Sequence, residues 1–323
     1  MKRALIQKVR ACLGPITGSH LSEHALVALA AGALLIAGSV GAQSTGLTPR
    51  AARWLAPGTD AERALNTEPT ECLTLPTEPQ ARLSVEVGRA AFRSPLILGG
   101  QAARSGLSCE ACHRSGRTNP DFVFPGVSGP PGTADVTSSL FSTHRGDGTV
   151  NPKPIPNLSG PKANLKISQA TPVLESFIHG LVTEEFDGAE PPARVLKGLA
   201  DYVRALSPQA CPKAANQGAT PARRVDDARR ALVAGLALTD DGDRVSAIAM
   251  LSAARGELFL ADERLAGRNQ VAERARLRRA DAEIAQITQA LRRNSPQSRP
   301  DLARLVSDLS RQASDGRLPR KPS

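Results

Sequence analysis

Cys109-Glu110-Ala111-Cys112-His113 constrains this 323-residue chain more than any other stretch. Cysteines three residues apart project from one side of a single helical turn, and the residue after the second is an imidazole. Two thiols so placed can reach the two vinyl groups of one haem while the histidine sits beneath the iron. The C-x-x-C-H spacing therefore reads as a c-type haem attachment site. A lone C-x-x-C also occurs as half a zinc site or as a redox pair. Zinc would need a second Cys/Cys or His/His pair at ligand spacing, and after residue 42 the chain has none; His20 and His24 fall in the expected leader. The expectation is one covalent haem c, with thioethers to Cys109 and Cys112 and His113 as the proximal iron ligand.

Covalent attachment of this kind belongs to an exported polypeptide, and the N-terminus agrees. Lys2, Arg3, Lys8 and Arg10 precede an uncharged, mostly apolar stretch at 25–40, and Val40-Gly41-Ala42 is a small-residue cleavage pattern. Residues 1–42 read as a signal peptide with a long basic segment; the apolar stretch is short for a membrane span of about 20 residues. The expected product is soluble and periplasmic, with no stable membrane span after cleavage. Cys12 leaves with the leader and two cysteines go to haem, so Cys72 and Cys211 remain. In an oxidising compartment two leftover thiols pair, which predicts a Cys72–Cys211 disulfide enclosing the haem motif.

Charge and aromatics divide the rest. Residues 222–323 hold twenty Lys/Arg against fourteen Asp/Glu, whereas 43–221 are near neutral and hold six of the seven Phe, with Trp54 and Tyr202. This predicts a haem domain at 43–221 and an α-helical domain at 222–323, joined by a Pro/Ala/Gly-containing linker at 207–222. In the first part, residues 78–92, the motif itself, 171–182 and 191–206 read as helices. Residues 115–162 are rich in Gly, Pro, Ser and Thr and read as ordered loop. No segment alternates well enough for a strand. The fold class is mainly α: a cytochrome c-like haem domain with long loops plus helical hairpins.

GRAAFRSPLILGG (88–100) followed by GLSCEACH resembles the opening of the N-terminal haem domain of bacterial di-haem cytochrome c peroxidases and MauG-like proteins. PNLSG at 156–160 looks like that family's post-haem Pro-x-Leu segment, and VLKGLADYVRAL like its closing helix. The resemblance covers roughly residues 80–210 and implies a redox role at the haem. This chain has a single C-x-x-C-H, so the family's second haem has no counterpart, and its loop between Phe92 and Cys109 looks longer than usual.

The chemistry depends on the sixth iron position, because a His or Met there makes an electron carrier and an open position admits peroxide. His179 is similar in placement to the distal ligand of small c-type cytochromes, on the helix before the closing one. His144, in a loop, is the alternative, and Met250 reads better as core. If the position is open, Glu185 beside Phe186 is the candidate proton-transfer base, although consecutive glutamates near a helix end are more often solvated. Arg104 and Arg114 flank the motif and could pair with haem propionates.

In the tail, Leu251, Ala254, Leu258, Ala261 and Leu265 step three and four residues apart, as do Leu277, Ala280, Ile284, Ile287 and Leu291. This predicts helical hairpins packed on each other, on a second copy or on a protein partner. Asp240, Asp241 and Asp243 lack the spacing of a calcium loop and read as a turn with a helix cap. Interleaved acids make Arg274–Arg279 a solvated face rather than a nucleic-acid surface. The expected function is a periplasmic single-haem cytochrome exchanging one electron with a partner redox protein. The alternatives are a peroxidase acting at an open haem, and a haem-containing scaffold or sensor whose tail binds a partner.

Overall fold

The computed structural model describes residues 50–314 except 138, 139, 145, 214, 215 and 266. The expected leader at 1–42 lies outside the described residues. Among those described, the chain is mainly α, and strand is limited to three two-stranded ladders. The first half runs α1 (Ala61–Asn66), β1 (Thr67–Pro69), α2 (Pro79–Arg93), α3 (Gly100–Arg104), α4 (Cys109–Cys112), β2 (His113–Arg114), β3 (Arg117–Thr118), β4 (Thr133–Ala134) and β5 (Lys153–Pro154). Then come α5 (Val173–Gly180), α6 (Ala193–Ala205), β6 (Asn216–Gly218), α7 (Pro221–Asp240), α8 (Arg244–Glu263), α9 (Val271–Arg292) and α10 (Ser298–Ser314).

Helix α2 starts where the Glu78 carboxylate accepts hydrogen bonds from the Gln80 and Ala81 amides, with Pro79 at the first helical position. Its buried side, Val85, Ala91 and Phe92, meets Val195, Leu199 and Tyr202 of α6. The crossing is made by glycine. A Cβ on Gly88 would lie 1.8 Å from the Gly198 carbonyl oxygen, so the two backbones touch. Only hydrogen side chains permit that approach.

The tail helices are capped as the turn chemistry predicts. Thr220 caps α7, and Asp243 accepts from the Ser246 amide at 3.0 Å to start α8. Between them Gly242 takes φ +80°, a left-handed turn that suits glycine. The two apolar rows are buried: Leu251, Ala254, Leu258, Ala261 and Leu265 are at most 1% exposed, and Leu277 to Leu291 at most 9%. Helices α7 and α8 form a hairpin, α9 packs on α8, and α10 returns against α7.

Across the expected boundary at 221/222 the described residues pack as one compact unit, and one apolar core runs from Val85 on α2 to Leu309 on α10. Helix α2 packs on α7 and α8 as well as on α6. The segment read as a linker is fastened at several points instead. Thr67, Glu68 and Pro69 pair antiparallel with Gly218, Gln217 and Asn216, and Leu73 bridges Leu206. The Cys72 and Cys211 sulfurs lie at bonding distance, 1.95 Å. Turn-forming residues permit a flexible linker but equally permit an edge strand once a partner strand is present, and β1 supplies it. No helix of the described residues is long and apolar enough to cross a membrane.

Candidate haem-attachment site

Helix α4 is a single turn, shorter than the sequence suggests, because His113 leaves the helix at φ −109°, ψ 70° and enters the β2–β3 hairpin. The turn has two faces. Cys109, Cys112 and His113 look into an apolar cleft, while Glu110 and Ala111 border a different space on the opposite side. Alternation of this kind is what an i, i+3 pair on one helical turn produces.

Apolar side chains from four places close the cleft. Phe92 comes from α2, Leu174, Phe177 and Ile178 from α5, Leu181 and Val182 from the π-helical turn Leu181–Glu185, and Leu199 and Val203 from α6. Leu98, Val136, Leu158 and Phe186 complete it, and Ser108 is the one further polar residue on the wall among the described residues. The enclosed part measures about 150 Å³ and continues outward past Phe177, which is 41% exposed. A flat group wedged here would keep one edge towards water. The Gly88–Gly198 contact sets the spacing of α2 and α6, and so the separation of Phe92 from Leu199 and Val203. Phe92 lies 5.0 Å from the Tyr202 ring and 6.4 Å from the His113 ring, centroid to centroid.

The His113 Nδ1 is 3.0 Å from the Pro156 carbonyl oxygen. A carbonyl can only accept, so Nδ1 carries the proton and the lone pair sits on Nε2. Burial, opposed in part by that hydrogen bond, lowers the imidazole to about 4, which keeps the ring neutral near pH 7. A neutral imidazole with its distal nitrogen free is the form that ligates a metal.

Burial pushes both motif thiols up to about 12. A disulfide-exchange pair needs the opposite, a lowered thiol pKa, so the redox-pair reading of C-x-x-C does not suit this environment. Nor do the side chains converge as zinc ligands do. Among the described residues no group of three or more His, Cys, Asp or Glu is gathered to hold a metal ion. Two thiols at the edge of an apolar slot and one imidazole pinned from behind fit a macrocycle bonded at its periphery. Cys109, Cys112 and His113 are the residues that would hold a haem here.

The other expected participants are not brought to the cleft. The His179 Nε2 pairs with Glu190 at 2.7 Å, and the His144 Nδ1 pairs with Asp187 at 3.0 Å with a ring that is 64% exposed. Neither ring lines the cleft. His179 sits next to the lining residue Ile178, but helical geometry rotates successive side chains by about 100°, and that rotation carries it to the outer face. Met250 is fully buried within α8, as core. Glu185 is only 7% exposed, against the expectation of a solvated pair, yet it is Phe186 beside it that reaches the cleft. Arg114 is buried and donates to the carbonyl oxygens of Ala64 and Thr67, and Arg104 donates to Gln101. Both are committed away from the slot.

Two contributors escaped the sequence reading. The Pro156 carbonyl is invisible because a backbone acceptor leaves no residue-type signal. The α5 wall was legible as an apolar helical stretch, FIHGLV, but its polar member, His179, drew attention instead of its neighbours. No known protein family, curated protein or solved structure matches the chain.

Proposed function

We propose that this protein is an exported, single-haem c-type cytochrome that exchanges one electron with a partner redox protein. One observation carries the reading: Cys109, Cys112 and His113 line a single apolar cleft while the His113 Nδ1 is held by the Pro156 carbonyl, which leaves Nε2 as the unprotonated nitrogen. Cys109 and Cys112 would anchor the haem covalently, and His113 would supply its axial nitrogen. The haem, when bound, supplies the one-electron couple. The chain's own part is to keep His113 neutral and oriented and to exclude water with Phe92, Leu174 and Leu199. It also leaves an edge near Phe177 through which a partner can approach. A disulfide between Cys72 and Cys211 accords with export to an oxidising compartment.

A second reading has specific support. Because His144 and His179 are engaged elsewhere, the sixth position would be open to an exogenous ligand, as a peroxidase requires. Against turnover of peroxide, the described residues of the cleft wall include no carboxylate and no imidazole other than His113 to shuttle a proton between the two oxygens.

The test is to produce the full chain in a host that exports it and attaches haem, then run a haem stain after denaturing electrophoresis and record optical and EPR spectra. Covalent haem that reduces and reoxidises with a small cytochrome, without peroxide turnover, is expected. Absence of covalent haem overturns both readings, and rapid peroxide turnover with a donor replaces the carrier by the peroxidase.

A further inference from the structure

On the far side of α4 from the thiols lies a second, larger cavity of about 570 Å³, bounded by residues 50–53, the start of α7 and the end of α8. That volume falls in the range of small-molecule sites, about 300–1,000 Å³. Five arginines and three glutamates line it. Most of these charges are already answered. Arg50 pairs with Glu263 at 2.9 Å, Arg224 with Glu257 at 3.1 Å and with Glu68 at 2.6 Å, and Arg93 with Glu71 at 2.8 Å. Glu110 accepts from the Ser115 amide at 3.0 Å.

Arg53 and Arg264 are left over. Arg53 makes no hydrogen bond or ion pair with any described residue. Arg264 reaches only backbone, the carbonyls of Leu260 at 2.9 Å and Leu65 at 3.3 Å, and its buried Nε has no partner. The Ser108 hydroxyl, on a side chain only 3% exposed, also has no partner and faces the same space. Burial disfavours the charged form of both guanidiniums; for Arg53 the Glu110 carboxylate offsets part of this and Arg224 adds to it, while for Arg264 both Arg224 and Arg53 add to it and Glu68 and Glu257 offset part. Neither half-buried guanidinium has a carboxylate bonded to it, so both keep N–H groups to offer an anion that enters the cavity. Leu65, Ala219 and Leu260 supply an apolar flank to the same cavity.

We propose that this cavity binds a small organic anion, its carboxylate or phosphate head held by Arg53 and Arg264 with the Ser108 hydroxyl donating a further hydrogen bond. The hydrocarbon part of the ligand lies against Leu65, Ala219 and Leu260. Arginine forks suit either oxyanion because each offers paired N–H groups at the spacing of two ligand oxygens. The inference does not depend on the haem reading: Arg53 and Arg264 border this cavity and not the cleft, and Ser108, next to Cys109, borders both.

The test is calorimetry and thermal melting of the full exported protein with sodium hexanoate and with hexyl phosphate. Sodium chloride at matched ionic strength and hexanol serve as controls. Saturable one-to-one binding and a rise in Tm are expected with at least one anion and with neither control, because a ligand that binds only the folded state stabilises it. Which anion binds more tightly tells a carboxylate site from a phosphate site. Arg53→Gln and Arg264→Gln are each expected to weaken binding about tenfold or more, and Ser108→Ala severalfold, the loss of one charge-assisted hydrogen bond. Arg53→Gln should leave the ligand-free Tm nearly unchanged, since Arg53 is half-buried and has no bonded partner to lose. If that variant fails to fold, Ser108→Ala carries the comparison. No saturable binding of either anion, an equal Tm rise with chloride, or unchanged affinity in Ser108→Ala and the arginine variants overturns the proposal.

Discussion

The Nδ1 of His113 is hydrogen-bonded at 3.0 Å to the Pro156 carbonyl oxygen, 43 residues further along the chain. That contact ties the single-turn helix α4 to the loop after β5. It determines which imidazole nitrogen is protonated and therefore which one faces the cleft. Ser159 reinforces the tie, its amide and hydroxyl both donating to the Gly116 carbonyl at 3.0 and 3.1 Å. The β2–β3 hairpin and the 156–160 loop thus hold the ring from behind.

If Cys109, Cys112 and His113 hold the haem, each deletion has its own signature. Cys112→Ala should leave haem attached through one thioether, with the pyridine haemochrome band moved towards that of a haem with one free vinyl group. His113→Ala should keep the thioether chemistry available but change the ferric spin state. A Cys112→Ala protein with an unaltered haemochrome would remove that cysteine from the site.

His144→Ala and His179→Ala are expected to leave the optical and EPR spectra of the haem protein unchanged, because both rings are paired outside the cleft. Exposed pairs of this kind contribute little, so stability should also hardly change. A low-spin to high-spin change in either variant would identify that histidine as the distal ligand.

Gly88→Ala should destabilise the fold by at least about 3 kcal/mol, since overpacking against a rigid backbone exceeds the ordinary cost of an added methyl. The new Cβ would meet the Gly198 carbonyl and force α2 from α6. Urea denaturation measures the loss. Because Phe92 and Leu199 belong to those helices, haem incorporation should fall as well. A variant as stable as the parent would show that the two backbones are not in contact.

Replacing Cys72 and Cys211 by serine should cost about 2–4 kcal/mol, with the effect mainly on the unfolded chain, whose loop of 139 residues is no longer closed. Equal denaturation midpoints for the variant and the oxidised parent would argue that the disulfide does not form.

Stability should fall with acid through the carboxylates around Arg93. Burial raises the Glu71 carboxyl, but Arg93 and Arg89 outweigh it and the Tyr202 hydroxyl donates at 2.5 Å, for a net lowering from 4.5. Asp227 is likewise lowered from 3.8, with Arg93 and Arg230 outweighing its burial. Groups whose folded pKa is depressed contribute stability above the unfolded values, here about 4 to 4.5, and lose it as pH falls below them. Glu71→Gln should cost about 3–5 kcal/mol near neutral pH, because it leaves Arg89 and Arg93 buried without that partner. It should also flatten the pH dependence of the denaturation midpoint between about pH 5 and 3. An equally steep profile in the variant would place the acid sensitivity elsewhere.

Local chemistry was readable in the sequence wherever one short stretch carried the whole cause. The single turn that carries Cys109 and Cys112 on one side, the cap at Asp243, the Pro79 start of α2 and the three-four apolar rows of α8 and α9 each depend on residues within a turn or two of one another. Helix periodicity also predicts a mainly α chain. What the sequence could not determine was which surfaces meet. The near-neutral and basic halves look like separate domains because composition averages over surface residues, whereas the core that joins them is made of Val, Leu and Ala common to both. Glu68, Arg224 and Glu257 lie far apart in sequence and form one buried ion cluster only because β1, α7 and α8 come together. Likewise the side chains facing the cleft opposite the thiols, and the carbonyl that orients His113, follow from how α5 and the 156–160 loop are placed. Burial and side-chain direction belong to the assembled chain, and they are what separated His113, turned into the cleft, from His144 and His179, turned away from it.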